Sequence, residues 1–300
     1  MKQLFEHSIS NWDEWSNVYQ NIEAWQPLIK DIYELEGLPL VQIEHLVPGT
    51  NAVFKLGNTV VKIFAPKESG MDAQEDYNTE LFGLRRANKL GVLAPELIAN
   101  GCVYDKYDFL YLIMEHIDGN NLSDIEEYLT DCDKEKIGRK LREITDKLNT
   151  PCREFNNIDV VLRAIENKRW DIFPERFKKE RADYLRQLRI RDKVYVHGDL
   201  HCDNVFLDAD KNVYIIDFAD ALLAPAEYEI AALCGMFDYQ DSYMHGYFGV
   251  NYCKNQIAEE YFKGVLLHDF GADIIKSSLG NIDEITDLDD LKNRICEILK

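Results

Sequence analysis

Residues 194–220 read VYVHGDLHCDNVFLDADKNVYIIDFAD, and this stretch decides the fold of the chain. Its first three residues are apolar and predict a short buried strand that ends at a loop. Two runs of β-branched and aromatic residues follow at 205–207 and 213–216, joined by a polar turn. This pattern predicts a β-hairpin. The two ends of a hairpin lie side by side, so the residues that flank it meet although they are distant in sequence.

Oxygen-bearing side chains flank the predicted hairpin. Asn204 stands at its entrance and Asp217 at its exit. Carboxylate, amide, water and phosphate oxygens are the ligands that Mg²⁺ prefers, so this pair predicts one divalent cation site. Asp199 lies five residues before Asn204, a spacing that leaves its carboxylate free to face a substrate hydroxyl. We therefore expect Asp199 to be the catalytic base and His197 to be a buried residue that orients the loop.

The spacing H-x-D-x-x-x-x-N, followed by a strand and Asp, matches the catalytic loop and metal-binding segment of protein kinases. The residues HGDLHCDN and IDFADA resemble more specifically the superfamily of aminoglycoside phosphotransferases and choline kinases. The resemblance implies an α+β, two-lobed protein-kinase-like fold, with an antiparallel sheet and a helix in the small lobe and a mainly helical large lobe. It implies a nucleotide-binding lobe with an N-terminal helical extension at residues 1–117, and a catalytic and acceptor-binding lobe at residues 118–300.

A second hairpin, upstream, carries a lysine. Residues 51–56 and 59–64 read as two strands joined by a tight turn at Gly57 and Asn58. Lys62 lies inside the second strand, where a charge is costly unless an anionic group meets it. The resemblance implies that the α- and β-phosphates of a nucleotide are that group.

A partner for Lys62 is expected on the following helix. Residues 74–90 have apolar side chains at helical spacing and include Glu80. We expect Glu80 to form an ion pair with Lys62. Glu75, one helix face away, is the competing partner.

A single glycine, Gly49, stands in the loop VPGTNAVF before the first strand of this hairpin. Thr50 and Asn51 follow as side-chain or backbone donors, and the resemblance implies that Gly49 and Thr50 contact the nucleotide phosphates. The loop departs from the glycine pattern of protein kinases. Both ATP and GTP therefore stay open as the phosphate donor, with Mg²⁺ as its companion.

Two further strands are predicted at residues 97–104 and 109–114. The resemblance makes the segment after the second strand the hinge that binds the adenine. There the backbone of Glu115 and Ile117 would bond the base, and Met114 would stand behind it.

Composition limits the class of protein. The 300 residues are 46% hydrophobic, which is enough for two lobes with their own cores. The chain contains no apolar run near the ~18 residues of a membrane span and no apolar signal core at its start. Its seven cysteines form no CxxC pair, so neither zinc nor a disulfide frame is indicated. We therefore expect a cytoplasmic protein with no membrane partner.

The net charge of −20 bears on the partners. Nucleic acid binding is disfavoured, because the sequence has no basic stripe to neutralise phosphates. The expected partner is a small-molecule substrate, and an acidic field would attract a polycationic one. For the charge as a whole, the favoured interpretation is that the acidic surface only maintains solubility. The sequence leaves the oligomeric state open.

The segment after Asp217 bears on the acceptor. Only about ten residues separate Asp217 from the next predicted helix, too few for the peptide platform of a protein kinase. A small-molecule hydroxyl is the better acceptor, and Asp220, Glu227 and Asp238 are candidate carboxylates for binding its ammonium groups. Glu229 has a competing role, because the resemblance implies that an acidic residue there ties down the catalytic loop.

The residues AEYEIA, at the start of that helix, are similar to the corresponding helix start in hygromycin-type phosphotransferases. This favours transfer of the γ-phosphate to an alcohol group of an aminoglycoside-type antibiotic, with antibiotic resistance as the implied role. A kinase of choline, homoserine, a sugar or a fructosamine is the alternative, because fold does not fix substrate. A nucleotide-binding regulator without catalysis is a further alternative. The complete set of candidate residues argues against it: Lys62, Glu80, Asp199, Asn204 and Asp217.

Helices are predicted in the rest of the chain. Residues 157–190 read as a charged helical segment broken by Pro174 and suited to a substrate lid. In it, Trp170, Asp171 and Phe173 could face a sugar or aromatic ring of the substrate, although packing is the favoured role of the two aromatics. Residues 282–300 predict one amphipathic helix that closes the large lobe. Tryptophans near the N-terminus predict helices packed on the small lobe.

Overall fold

The computed structural model describes residues 3–47, 49–71 and 73–299. Pro48 of the predicted phosphate loop and Lys300 of the predicted last helix lie outside the described residues. The chain divides into two compact units. The first comprises Met1–Lys89 and Ala94–Asp118, and the second comprises Leu90–Leu93 and Gly119–Lys300.

The first unit contains an antiparallel sheet with the spatial order β1-β2-β3-β5-β4. The strands are β1 Ile43–His45, β2 Ala52–Leu56, β3 Thr59–Ile63, β4 Leu97–Tyr104 and β5 Asp108–Glu115. The turn between β2 and β3 places Gly57 at a φ of 60°, a conformation that glycine adopts without strain. β3 is central, so Lys62 lies opposite Val53 of β2 and Leu112 of β5. The strands predicted here are confirmed.

Helices cover part of this sheet. They are α1 Trp12–Ser16, α2 Ile22–Leu35 and α3 Ala73–Leu90. α1 and α2 each begin after an asparagine, Asn11 or Asn21, whose side chain accepts a backbone N–H of the first turn. Trp15 and Trp25 are fully buried in one core with strand residues such as Phe109. The prediction that N-terminal helices pack on the small lobe is confirmed.

The second unit is mainly helical. Its helices are α4 Leu122–Ile125, α5 Asp131–Leu148, α6 Val160–Glu166, α7 Glu175–Gln187, α8 Glu227–Phe237, α9 Asp241–Phe248, α10 Lys254–Leu267, α11 Gly271–Ser278 and α12 Leu288–Ile298. Its short strands are β6 Asn120–Asn121, β7 Val194–Val196, β8 Val205–Leu207, β9 Val213–Ile215 and β10 Leu222–Ala224. They pair as an antiparallel β6-β8-β9 sheet and an antiparallel β7-β10 ladder. In the part of the chain described, no helix has the length and apolar character needed to cross a membrane.

The prediction of one helix over residues 282–300 is wrong. Residues 282–284 form a single 3-10 turn, and α12 begins only after Asp287. The Asp287 side chain accepts the N–H of Asp290 and so caps the N-terminus of α12. The helix therefore starts at this cap and does not continue from the 3-10 turn. Ile285 lies in the segment between this turn and α12, and its side chain is buried. Its apolar side chain therefore packs in the core although it does not belong to the helix.

The predicted break at Pro174 is confirmed, since α7 starts at the following residue. Trp170 and Phe173 are both buried, and they stack with Phe177 of α7. The guanidinium of Arg181 lies 3.8 Å from the Trp170 ring centre. These two aromatics therefore pack in the helical unit, which confirms the packing role that the sequence favours for them.

Candidate active site

The loop after β7 is held by two buried side chains. The His197 ring is completely buried, and its Nε2 lies 3.0 Å from the carbonyl oxygen of Ile216. The His197 backbone N–H donates to the Glu229 carboxylate at 2.6 Å. The predicted scaffold role of His197 is thus confirmed. Glu229 ties down the loop, which decides between the two roles open to it from the sequence.

Gly198 brings two backbone segments into direct contact. Its φ is 85°, and a Cβ at this position would lie 2.1 Å from the carbonyl oxygen of Asp220. No side chain fits there, so glycine is required for both conformation and space. The loop that carries Asp199 therefore lies directly against the segment that follows Asp217.

Asp199 is engaged by its neighbours. Its Oδ2 accepts the Asn204 Nδ2–H at 3.1 Å and lies 3.3 Å from Nε2 of His201. Burial raises the pKa of Asp199, but the hydrogen bond and the charge of His201 outweigh this effect and lower the pKa below its ordinary value. The carboxylate therefore stays ionised. The expectation of a free carboxylate needs correction, because one of its oxygens is already bound within the loop.

His201 was missed by the sequence reasoning. It lies two residues after Asp199 in HGDLH, and its Nε2 also lies 3.1 Å from Nδ2 of Asn204. A second histidine this close to a candidate base was a visible signal. Its contact with both Asp199 and Asn204 places it in the same hydrogen-bonded group.

Asn204 and Asp217 meet at one end of the β8–β9 hairpin, as predicted. The Ile216 N–H donates to the Asn204 carbonyl at 3.0 Å, and Val205 pairs with Ile215. Asp217 has a φ of 61°, a left-handed conformation that is uncommon for a residue with a side chain and is found often at functional sites.

These two side chains fit a magnesium ion. Because Asn204 Nδ2 donates to Asp199, its Oδ1 is the amide atom left to face a cation. One amide oxygen and one carboxylate are hard ligands of the kind Mg²⁺ takes, with phosphates and water completing the set. Within the described residues no group of three or more His, Cys, Asp or Glu side chains could hold a metal ion alone. The donor set thus suits a cation that arrives with a phosphate ligand.

The predicted ion pair in the first unit is confirmed. Lys62 Nζ lies 2.5 Å from Glu80 Oε2, and both side chains are at least nine-tenths buried. Lys62 projects from β3 and Glu80 from α3. Two charges at this depth are tolerated because each satisfies the other. The arrangement holds a cationic group at a defined position on the central strand.

The predicted phosphate loop joins β1 to β2. Gly49 and Thr50 are exposed, whereas Asn51 is buried and its Oδ1 accepts the Ala65 N–H at 3.2 Å. The Thr50 carbonyl accepts the indole N–H of Trp15 at 2.9 Å. The end of the loop is therefore fixed by the side chains of Trp15 and Asn51.

The predicted hinge follows β5. Met114 is buried and pairs with Val60 on the neighbouring strand β3. The Glu115 N–H donates to the Glu96 carbonyl at 2.9 Å, so only the carbonyl of Glu115 is available to a base. Ile117 lies just beyond the strand and is partly exposed.

The candidate acceptor carboxylates have different surroundings. Glu227 is paired with Lys263 at 2.6 Å, and Asp238 ends α8 in a left-handed conformation with a φ of 46°. Asp220 differs, because burial and then the charge of Asp199 raise its pKa to about 6. The protonation of Asp220 therefore depends on the charge of Asp199.

Arg163 is a second residue that the sequence reasoning missed. Its guanidinium on α6 lies 2.9 Å from Asp269 and 3.4 Å from Asp220. Asn167 also donates to the Asp269 carboxylate at 3.1 Å. Because these residues come from three distant parts of the chain, no local pattern predicted that an arginine would bridge two carboxylates here.

Comparison with protein families and with solved structures gives matches over most of the chain. The sequence profile of the Phosphotransferase enzyme family matches residues 49–251. The chain is also similar to the GDP complex of wild-type aminoglycoside 2'-phosphotransferase-IIIa, at 18% identity and a TM-score of 0.60, over 93% of this chain and 97% of that one. It is similar to a choline/ethanolamine kinase family protein from Mesorhizobium loti, at 14% identity and a TM-score of 0.54, over 91% and 94%.

A third similar structure is the microcompartment-associated aminopropanol kinase, at 13% identity and a TM-score of 0.53, over 90% of this chain and 95% of that one. At such identities the likeness shows the fold alone. The two-lobed kinase-like fold predicted from the sequence is confirmed.

Proposed function

Because the chain belongs to the Phosphotransferase enzyme family and is a small-molecule phosphotransferase, we propose that it transfers the γ-phosphate of a nucleoside triphosphate to an alcohol group. One observation carries the proposal. Asp199 is kept ionised on a loop that Glu229 and His197 hold rigidly, beside the paired oxygen ligands Asn204 and Asp217. This is the arrangement needed to position a hydroxyl next to a cation-bound phosphate.

The proposed donor is ATP, with GTP as the other candidate. Lys62, paired with Glu80, is assigned to the α- and β-phosphates, since an ammonium group forms strong charge-assisted hydrogen bonds with phosphate oxygens. Gly49 and Thr50 are assigned to the phosphates. Met114, the Glu115 carbonyl and Ile117 are assigned to the base. Two of the similar structures are complexes with GDP and with ADP, which supports a nucleotide substrate.

The proposed cation is Mg²⁺, bound by Asn204 Oδ1 and Asp217. When bound, Mg²⁺ would neutralise charge on the transferring phosphate. Asp199 accepts the proton of the acceptor hydroxyl while the acceptor oxygen bonds to the γ-phosphorus and the bond to the β-phosphate oxygen breaks. Because the transition state of phosphoryl transfer is loose, Asp199 contributes mainly by orienting the hydroxyl.

The proposed acceptor is an aminoglycoside-type antibiotic. The net charge of −20 favours a cationic substrate, and Asp220 and Asp269 offer carboxylates near the catalytic loop. Similar structures include complexes with hygromycin B and with kanamycin. In this reading the physiological role is antibiotic resistance.

A metabolite kinase is the second candidate, and one observation favours it. Arg163 neutralises part of the charge of Asp220 and Asp269, which leaves less carboxylate for a polycation and suits an acceptor with a single amine, such as an amino alcohol. Homoserine, sugars and fructosamines belong to the same candidate class. A regulator without catalysis is disfavoured by the complete set of polar groups.

The test is nucleotide-diphosphate release with MgATP and MgGTP against a panel of acceptors: kanamycin, hygromycin B, choline, ethanolamine, aminopropanol, homoserine, sugars and fructosamines. An aminoglycoside with a low KM would support the first candidate, and an amino alcohol would support the second. Nucleotide binding without turnover on every acceptor would point to the regulator. The cytoplasmic location and the absence of nucleic acid partners stay predictions.

A further inference from the structure

The N-terminal extension contacts the proposed phosphate loop through a buried tryptophan. Trp15 of α1 is fully buried, and its indole N–H donates to the Thr50 carbonyl at 2.9 Å. Gln20 Nε2 lies 3.5 Å from the carbonyl of the next residue, Asn51. Two side chains of the extension thus face consecutive carbonyls at the end of the loop.

The indole is itself held firmly. Trp15 packs edge-on against Trp25, with ring centres 5.7 Å apart, and Trp25 packs edge-on against Phe109 of β5 at 5.2 Å. Ahead of α1, the backbone N–H groups of Leu4 and Phe5 donate to the two oxygens of the Asp105 carboxylate, at 2.9 and 2.8 Å. The extension therefore contacts the sheet through the ring of Phe109, and it is hydrogen-bonded to the turn between β4 and β5 through Asp105.

The hydrogen bond to Thr50 sets the direction of a backbone donor. A peptide group is planar, and in the trans form its C=O and N–H point in opposite directions. The chain has no cis peptide bond among the residues described. Fixing the Thr50 carbonyl toward the indole therefore fixes the Asn51 N–H to point away from it.

The side chains of the loop reinforce this orientation. Asn51 Oδ1 accepts the Ala65 N–H at 3.2 Å, and Asn51 Nδ2 donates to Thr50 Oγ1 at 3.4 Å. A loop with only one glycine has little freedom to reshape around phosphates. Its N–H donors must therefore be oriented before the nucleotide binds, and the hydrogen bonds of Trp15 and Asn51 maintain that orientation.

We propose that Trp15 is a positioning residue for the nucleotide: by holding the Thr50 carbonyl from behind, it aims the Thr50–Asn51 peptide N–H at a phosphate group. The inference rests on the proposed function, because it takes the loop to bind a nucleoside triphosphate. The N-terminal extension is then part of the nucleotide site, although Trp15 itself touches no nucleotide.

The test compares Trp15→Phe with Trp25→Phe. Both tryptophans are fully buried and each donates its indole N–H to a backbone carbonyl. The acceptor of Trp25 is Val18, inside the extension, and the phenyl ring of Trp25→Phe keeps an aromatic contact with Trp15, so the bond from Trp15 to Thr50 should persist. Each substitution removes the same atoms and keeps an aromatic ring, which makes the second variant a matched control for lost packing.

Calorimetry on the full chain would measure the Kd of MgATP and of adenosine. A misdirected Asn51 N–H would lose one hydrogen bond to phosphate, which is worth about 1 kcal/mol, or roughly fivefold in Kd. We expect Trp15→Phe to weaken MgATP by about that factor and to leave adenosine within about twofold. Trp25→Phe should leave both ligands within about twofold at a similar loss of Tm.

Equal MgATP affinity in the two variants would overturn the inference, and so would an equal loss for adenosine, which would indicate general loosening. If the wild-type protein bound no nucleotide, the proposed function would fail with it. If Trp15→Phe does not fold, the wild-type indole N–H resonance of Trp15 decides: it should shift with MgATP and not with adenosine. An unchanged resonance with bound MgATP would overturn the inference.

Discussion

The carboxylate of Glu229, at the start of α8, accepts the backbone N–H of His197, 32 residues earlier in the chain, at 2.6 Å. Both residues are buried, so water does not compete for the hydrogen bond that attaches the loop after β7 to α8. Burial of the Glu229 carboxyl also makes stability depend on pH.

Replacing Glu229 by Gln should change the pH dependence of stability. Burial raises the pKa of Glu229 from 4.5 to about 7, although the hydrogen bond from His197 lowers it in part. A raised carboxyl pKa means that the folded state favours the protonated form, so this contribution is present at low pH and is lost as pH rises from about 4.5 to 7. The Tm of Glu229→Gln relative to wild type should therefore improve between pH 5 and pH 8, by more than ~2 °C. A constant difference across this range would contradict the assignment.

Replacing Asp199 by Asn should separate chemistry from nucleotide binding. Asn keeps an oxygen that can accept from Asn204 but cannot take up the proton of the acceptor. We expect kcat to fall by about 10²–10⁴, while the Kd of MgATP stays within about twofold. Asp210→Asn is the control, because that carboxylate is exposed in the turn between β8 and β9 and should tolerate the change. Equal losses of turnover and nucleotide affinity in Asp199→Asn would remove Asp199 from the acceptor side.

Replacing Lys62 by Met should leave Glu80 buried without its cation. Breaking a buried pair in this way costs about 3–5 kcal/mol of folding free energy. The double variant with Glu80→Leu removes the stranded charge as well, so most of the stability should return. Nucleotide affinity should stay low in both, because neither has the ammonium. Recovery of MgATP affinity together with stability in the double variant would show that Lys62 acts only in folding.

Replacing Arg163 by Gln should change the preference among acceptors. Replacing the guanidinium by a neutral amide removes one positive charge beside Asp220 and Asp269, so multiply charged acceptors should gain over singly charged ones. We expect the ratio of their kcat/KM values to rise several-fold at low salt and less at high salt. Arg169→Gln, which breaks an exposed pair with Asp273, is the control. An unchanged ratio would place the acceptor away from Arg163.

The sequence was sufficient where the determinants are local. The β8–β9 hairpin follows from residue types and turn chemistry, and the Lys62–Glu80 pair follows from a charge inside an apolar strand. It was insufficient where partners come from distant segments, as for Arg163 with Asp220 and Asp269. The last helix was predicted too long because apolar spacing continued through a 3-10 turn, and the cap at Asp287 outweighed that periodicity.

The close approach of Gly198 to the Asp220 carbonyl couples two backbone segments sterically, because any side chain at position 198 would clash with that carbonyl. In the proposed function, the loop that carries the proposed base and the segment that follows Asp217 would therefore move together. Differences in acceptor preference would then arise in the elements around them, such as α6 and the connection from α10 to α11.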